Sequence, residues 1–221
     1  FHSLCDNAHP KTGEQLTPLM RENRRVGYDL TFSAPKSVTL AHAVGGDDRI
    51  LDAFRSAVRD TMSEIESGMN ARRWNQKEHK QDLVNTGNLA YGEFVHFTTR
   101  PVNGVPDPQL HSHCYVFNVT HDAKENRFKA GEFHDINRDM PYYQAAFHAH
   151  LANNLKGLGY GIERTEDGFQ LAGISRETIE KFSKRTELIE KEAKKRGITT
   201  DKDKDGLGAL TREQKRKDLS M

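Results

Sequence analysis

The chain has 221 residues, with 33 Lys and Arg against 32 Asp and Glu, a net charge of +1 with histidines neutral. That length suits one large domain with a real core, while the near balance of charge excludes a globally basic nucleic-acid binder, so a DNA surface has to be a local patch. Two cysteines, Cys5 and Cys114, exclude a disulfide scaffold and make a reducing, cytoplasmic compartment the default, and no apolar run reads as a membrane span or secretory signal.

From residue 1, FHSLCDNAHP and KTGEQLTPLMRENRR show weak periodicity and read as loop and short helix. Arg21, Arg24 and Arg25 there are solvated or face a polyanion. VGYDLTFS, 26–33, alternates as a strand, with Tyr28, Leu30 and Phe32 on one side and Asp29 and Thr31 on the other. Aspartate is disfavoured in strands. Asp29 is therefore a candidate for a partnered or functional carboxylate, the alternative being an ordinary salt-bridged sheet residue. At SAPKSVTLAHAV the period becomes helical: Ser33 can cap, Pro35 suits a first turn, and Val38, Leu40 and Ala41 begin a stripe. Lys36 beside that helix N-terminus makes a phosphate-binding spot. Residues 47–70 read as a long amphipathic helix with Ile50, Leu51, Phe54, Val58, Met62 and Ile65 on its apolar face.

ARRWNQKEHKQDLVNTG, 71–87, is basic and irregular. Arg72, Arg73, Lys77 and Lys80 around Trp74 suit a single strand, whose bases stack on indole while cations track the backbone. The rival reading is an exposed charged loop around a buried tryptophan. The stretch from Asn88 to Thr120 reads as two strands joined by a Pro/Gly-rich loop, with His96 ending the first and His111 and His113 opening the second. In a strand, His111 and His113 project the same way about 7 Å apart. Antiparallel pairing places His96 on the same face, giving three imidazoles with coordination positions left for water or substrate. The rival reading is of surface or satisfied core histidines. Arg100 is positioned to meet an anion near this face, and Asp107 and Gln109 can orient the imidazoles from behind.

HDAKENRFKAGEFHDI reads as turn, short strand with Arg127 and Phe128, and turn; 137–158 as a helix with Tyr143, Ala146, Phe147, Leu151 and Leu155 inward. His148 and His150 point apart on a helix and are rejected as ligands. YGIERTEDGFQLAGI is a hairpin turning at Asp167–Gly168. One charged helix is predicted from Ser175 to Arg196, with Lys181, Lys184 and Arg185 clustered on it. The polar tail, 197–221, includes DKDKDG as a loop; it is not a calcium loop, because its final ligand position holds Arg212. The elements together make an α+β chain.

GYDLTFSAPKSVTLAHAV, TGNLAYGEFVHFTTR, DPQLHSHCYVFN, LKGLGY and FSKRTE stand here in one order. In that order they resemble the relaxase domain of MobF-type conjugative relaxases, the TrwC/TraI group of HUH endonucleases, from about Tyr28 to Arg196. The resemblance implies a central antiparallel β-sheet flanked by helices, with a metal site on the sheet face and residues 1–221 forming a single relaxase domain. It implies nicking of one DNA strand at an origin of transfer by a tyrosine that stays linked to the 5′ end, followed by rejoining. One divalent metal (Mg, Mn or Zn) would be held by His96, His111 and His113, and Asp29 matches the family's aspartate near the nucleophile. Implied partners are single-stranded and hairpin DNA, met by Lys36, Arg72, Arg73, Trp74, Arg100, Lys184 and Arg185, together with accessory relaxosome proteins. A monomer in the bacterial cytoplasm is expected.

Two departures stand out. The loop between His96 and Asp107 is longer than the family's. The family nucleophile lies on a segment before the region where this chain starts, so a tyrosine-bearing N-terminal segment is expected to be missing and the nucleophile is unassigned. Tyr142–Tyr143 looks like the family's tyrosine pair but falls on a helix after the metal strands, and reads as packing. The competing expectations are a non-catalytic hairpin-binding module derived from a relaxase and an unrelated three-histidine metalloenzyme.

Overall fold

The computed structural model describes residues 1–18, 24–166 and 168–210, without the side chains of 201, 202, 205 and 209. Arg21, Asp167 and Arg212 therefore lie outside the described residues. In chain order the elements are α1 (His2–Cys5), β1 (Gly27–Ser33), α2 (Lys36–Ala43), α3 (Arg49–Ser67), β2 (Asn70–Asn75), β3 (Lys80–Asn85), β4 (Tyr91–Thr98) and β5 (Pro108–Phe117). There follow β6 (Thr120–Asp122), β7 (Arg127–Lys129), β8 (Gly131–Glu132), α4 (His134–Arg138), α5 (Met140–Gly157), β9 (Ile162–Thr165), β10 (Gly168–Leu171), α6 (Arg176–Lys181), α7 (Lys184–Arg196) and α8 (Asp201–Leu210). β5 is the middle strand of a three-stranded sheet, between β1 and β4; β3, β2 and β8 form another, and β6–β7 and β9–β10 are two-stranded.

The chain forms two compact units, one of Phe1–Phe32, Asp52–Val95 and Ser112–Leu158, the other of Ser33–Leu51, His96–His111 and the residues from Gly159 onward. The first has a core of helix against strand. On α3, Phe54, Val58, Met62 and Ile65 recur at helical spacing and are buried, as are Phe147, Leu151 and Leu155 of α5. The Phe147 ring meets Phe32 of β1 and Phe54, with centroids 5.3 and 5.7 Å apart. Truncating such a residue to alanine costs about 3–5 kcal/mol. The second unit buries Val38 and Leu40 of α2, Leu110, Phe169 and Leu171 of β10, and Leu207 of α8.

Residues 71–87 form a hairpin rather than an irregular loop. β2 pairs antiparallel with β3, Arg72 opposite Leu83 and Trp74 opposite Gln81. The Asn75 carboxamide closes the turn by accepting the Lys77 and Glu78 N–H groups. Strand alternation splits the basic run: Arg72 and Trp74 share one face of the ribbon, and Arg73 takes the other.

The helix predicted from Ser175 to Arg196 breaks at Phe182–Ser183. Phe182 and Ser183 close tight turns onto Ile179 and Glu180, and a fresh N-terminus starts at Lys184, whose N–H is accepted by Asp107 at 2.8 Å. The helix predicted over 137–158 is likewise two, divided at Asp139, with a proline in the first turn of the second. The DKDKDG stretch is helical, not a loop. Thr200 Oγ1 accepts the Asp203 N–H at 3.2 Å and donates to Asp203 Oδ2 at 2.6 Å, an N-cap that starts α8.

Candidate metal centre

Along β5 burial alternates: Leu110, Ser112, Cys114 and Val116 are buried, while His111, His113 and Tyr115 are partly open. The pleat that buries the apolar set delivers both histidines to the other face. β1 alternates in the same way, burying Leu30 and Phe32 and turning Asp29 and Thr31 outward.

In the first unit, His113 Nδ1 donates to Asp29, 2.8 Å from Oδ2 and 3.0 Å from Oδ1, with Thr31 Oγ1 at 3.1 Å. The pair is open, with side chains 35% and 49% exposed. In the second unit, the His96 and His111 rings stack with centroids 5.3 Å apart, and His111 Nδ1 donates to the Gln109 carbonyl at 3.0 Å. A carbonyl and a carboxylate only accept, so Nδ1 carries the hydrogen in both rings, and the neutral imidazole has its lone pair on Nε2. Metal-binding imidazoles are held this way, one nitrogen pinned by a carboxylate or carbonyl and the other presented to the ion. The donor set thus fits a divalent cation. Among the described residues, no group of three His, Cys, Asp or Glu side chains is already gathered at metal-holding distance.

Other predicted site residues are placed as follows. The Lys36 ammonium donates to the Pro108 carbonyl at 2.7 Å; burial pushes its pKa down, against the opposing pull of Asp107. Arg72 is exposed and pairs with Glu132, and Trp74 is 50% exposed with its ring edge toward His79. Arg73 is tied to Asp122 through both Nε and Nη2. Arg100 is exposed in the loop after β4. Lys184 faces Asp107, and Arg185 donates to the Gly208 carbonyl at 2.6 Å. Of the two residues expected behind the imidazoles, Gln109 acts through its main-chain carbonyl while its side chain donates to Ala34 O, and the Asp107 carboxylate meets α7 instead.

His148 and His150 are satisfied by Gln144 and Glu64 on the helices. Tyr142 donates to Glu64 at 3.0 Å and Tyr143 is buried. Tyr91, Tyr115 and Tyr143 have phenol pKa values raised chiefly by burial, Tyr142 and Tyr160 by carboxylates that accept their hydrogen bonds. That direction is the reverse of what a nucleophile needs. Sequence reasoning missed Thr31. It also missed a cleft of about 720 Å³ in the first unit, where Arg24, Arg127, Phe128 and Lys129 meet Arg72 and Gln81 of the ribbon. Its residues come from four separated stretches, so no local pattern announces it.

The TrwC relaxase family model matches residues 1–221. The chain belongs to the TrwC relaxase family. The multifunctional conjugation protein TraI of Escherichia coli is 32% identical over 174 residues, covering 75% of this chain and 9% of TraI. The chain thus spans less than a tenth of that relative. The metal-free structure of the conjugative relaxase TrwC with OriT DNA superposes with a TM-score of 0.89 at 34% identity, covering 98% of this chain and 77% of that one. The metal-bound TrwC–OriT complex gives 0.87 at 35% identity, covering 97% and 74%. The relaxase fold, antiparallel sheets flanked by helices, is therefore the fold of this chain. Among the described residues, no helix is long and apolar enough to cross a membrane.

Proposed function

We propose that residues 1–221 act as a conjugative relaxase domain in the bacterial cytoplasm, nicking and rejoining one strand at an origin of transfer. The observation that carries the reading is the Asp29–His113 pair on the open sheet face, two residues along β5 from His111, in a chain matched throughout by the TrwC relaxase model. The TrwC relatives were captured with OriT DNA, with and without metal.

His96, His111 and His113 would hold one divalent ion through Nε2. Three imidazoles favour zinc or another transition metal over magnesium, which prefers oxygen donors. The ion supplies positive charge that polarises the scissile phosphate and offsets the charge its non-bridging oxygens gain. Asp29 accepts the His113 Nδ1 hydrogen, fixing the tautomer and the ring plane; the Gln109 carbonyl does the same for His111. Arg72 and Trp74 on the ribbon, with the basic cleft beside them, track the single strand and hairpin, alongside Lys36, Arg73, Arg100, Lys184 and Arg185. Accessory relaxosome proteins complete the partners, around a monomer.

In the nick, a bond forms from a tyrosine oxygen to phosphorus and the bond from phosphorus to the 3′ oxygen breaks. The phenol proton leaves, and the 3′ oxygen takes one up. The phosphotyrosyl bond conserves the energy of the phosphodiester, so rejoining needs no nucleotide cofactor. None of the described tyrosines is assigned as nucleophile.

The test is incubation of the protein, carrying its nucleophile, with oligonucleotides tiled across the origin of transfer of its own genetic element. A covalent protein–DNA adduct that forms only with divalent metal and disappears in His111→Ala supports the reading. Tight hairpin binding with no adduct at any metal concentration would assign the chain to a non-catalytic binding module.

A further inference from the structure

Asp107 and the residue after it tie the end of β4, α2 and the start of α7 together in the second unit. Its side chain is only 3% exposed. Oδ2 accepts the N–H of Lys184, the first residue of α7, at 2.8 Å, and Oδ1 lies 3.5 Å from Lys184 Nζ. Its main chain pairs twice with Thr99, just past the end of β4. Thr99 N–H donates to Asp107 O at 2.9 Å, and Asp107 N–H donates to Thr99 Oγ1 at 3.1 Å. The next carbonyl, Pro108 O, accepts from Lys36 Nζ of α2 at 2.7 Å.

These contacts bracket the histidine pair. His96 lies on β4 shortly before Thr99, and His111 lies on β5 shortly after Asp107. The Asp107–Thr99 pair is therefore the point beyond the histidines where the two strands are pinned. A carboxylate is retained at this depth only if its charge is met. Here the first N–H of α7 and the partial positive charge of that helix end meet Oδ2, while Oδ1 has the Lys184 ammonium as an ion partner and accepts no hydrogen bond. The helix end is thus clamped to the strand that carries His111.

We propose that Asp107 is the positioning residue of the His96–His111 pair: buried against the N-terminus of α7 and paired with Thr99, it holds the register that brings the two imidazoles to one ion. It touches neither the metal nor DNA. The proposal rests on the metal-centre reading above, but its test reads metal affinity and needs no nicking.

Divalent cobalt or zinc binding is measured by calorimetry on the full protein without DNA. Hairpin-DNA affinity in metal-free buffer and the melting temperature are measured in parallel. Asp107→Asn keeps the shape and removes the charge. Thr99→Val removes the acceptor for the Asp107 N–H, and Thr99→Ser restores it. Asp107→Asn is expected to weaken metal binding by about 10- to 100-fold, the worth of one hydrogen bond to a charged group, with hairpin affinity not reduced, since freeing Lys184 removes no cation. Thr99→Val should weaken metal binding about 3- to 10-fold, the worth of one hydrogen bond, and Thr99→Ser should match the wild type. If Asp107→Asn fails to fold, the threonine pair carries the test. Metal affinity unchanged in Asp107→Asn and Thr99→Val overturns the proposal. So does a parallel fall in metal affinity, hairpin affinity and melting temperature, because that is general loosening. A wild-type protein that nicks while the variants bind metal normally sinks only the role of Asp107; a wild type that binds no divalent ion sinks the metal centre itself.

Discussion

Asp122 and Asp29 are both strand aspartates of the first unit, and their surroundings differ in kind. Asp122, on β6, is 1% exposed. It meets the Arg73 guanidinium, Lys129 Nζ at 3.1 Å, and the N–H groups of Lys124 and Glu125 at 3.0 and 3.2 Å. Asp29, on β1, is half exposed and meets one imidazole, His113, whose Nδ1 also lies 3.1 Å from the Thr31 hydroxyl. A carboxylate surrounded by permanent cations and main-chain donors is spent on structure. It ties the root of the ribbon to the β6–β7 hairpin. A carboxylate facing a single imidazole on an open face orients a group that can act on something else. The residue type and the strand do not separate these roles; the partner opposite does.

That contrast is open to direct attack, starting with the imidazoles. His113→Ala should lower metal-dependent cleavage by about 10⁴-fold, because the several kcal/mol of charge stabilisation from the ion would be lost. Gel assays at saturating DNA measure this, and thermal melting should show little change. Asp122→Asn should do the opposite. Breaking a buried pair costs about 3–5 kcal/mol, read by urea unfolding, with metal affinity retained below the new melting point.

The same residue sets a pH dependence. Arg73 and Lys129 hold the Asp122 carboxyl well below its ordinary pKa, and Lys129 does so for Glu125. A lowered folded pKa contributes stability that is fully present above about pH 5. That stability fades as pH falls from the unfolded value near 4 toward the depressed one. Unfolding midpoints of the wild type should therefore drop steeply on acidification, and those of Asp122→Asn should drop less.

Smaller effects follow. Asp29→Asn should weaken metal binding or cleavage by about 10- to 100-fold, while stability moves by about 0.5 kcal/mol or less, as for other surface positions. If Asp29→Asn unfolds the protein as Asp122→Asn does, the contrast between the two aspartates is wrong. On the ribbon, Trp74→Ala should cost about 1–3 kcal/mol of single-strand affinity. Arg72→Gln should reduce the slope of log affinity against log salt by about 1. Anisotropy titrations at several salt concentrations read both.

The sequence made some of this visible and hid the rest for physical reasons. β1, β5 and α3 were legible because each buries one face, so Leu30 and Phe32, or Phe54, Val58 and Met62, mark the period. The β2–β3 ribbon was not, because apart from the facing Ala71 and Val84 its residues are polar or exposed and leave no alternation of hydropathy to read. The break between α6 and α7 was invisible because the group that starts α7 is Asp107, distant in sequence. The N-cap at Thr200 was hidden by a run of charges that looks like a loop. At the proposed site, His96, His111, His113 and Asp29 stand out by type, spacing and the company of family motifs. Thr31 and the Gln109 carbonyl do not, since a hydroxyl in a strand and a main-chain oxygen carry no signal until the fold puts an imidazole beside them.

The central claim is that three imidazoles share one ion. Zinc K-edge absorption on protein loaded with one equivalent of zinc tests it most directly. A shared ion gives three imidazole nitrogens at about 2.0–2.1 Å, falling to two in His113→Ala. Fewer than three imidazoles in the wild type, or a spectrum unchanged by His113→Ala, would contradict it.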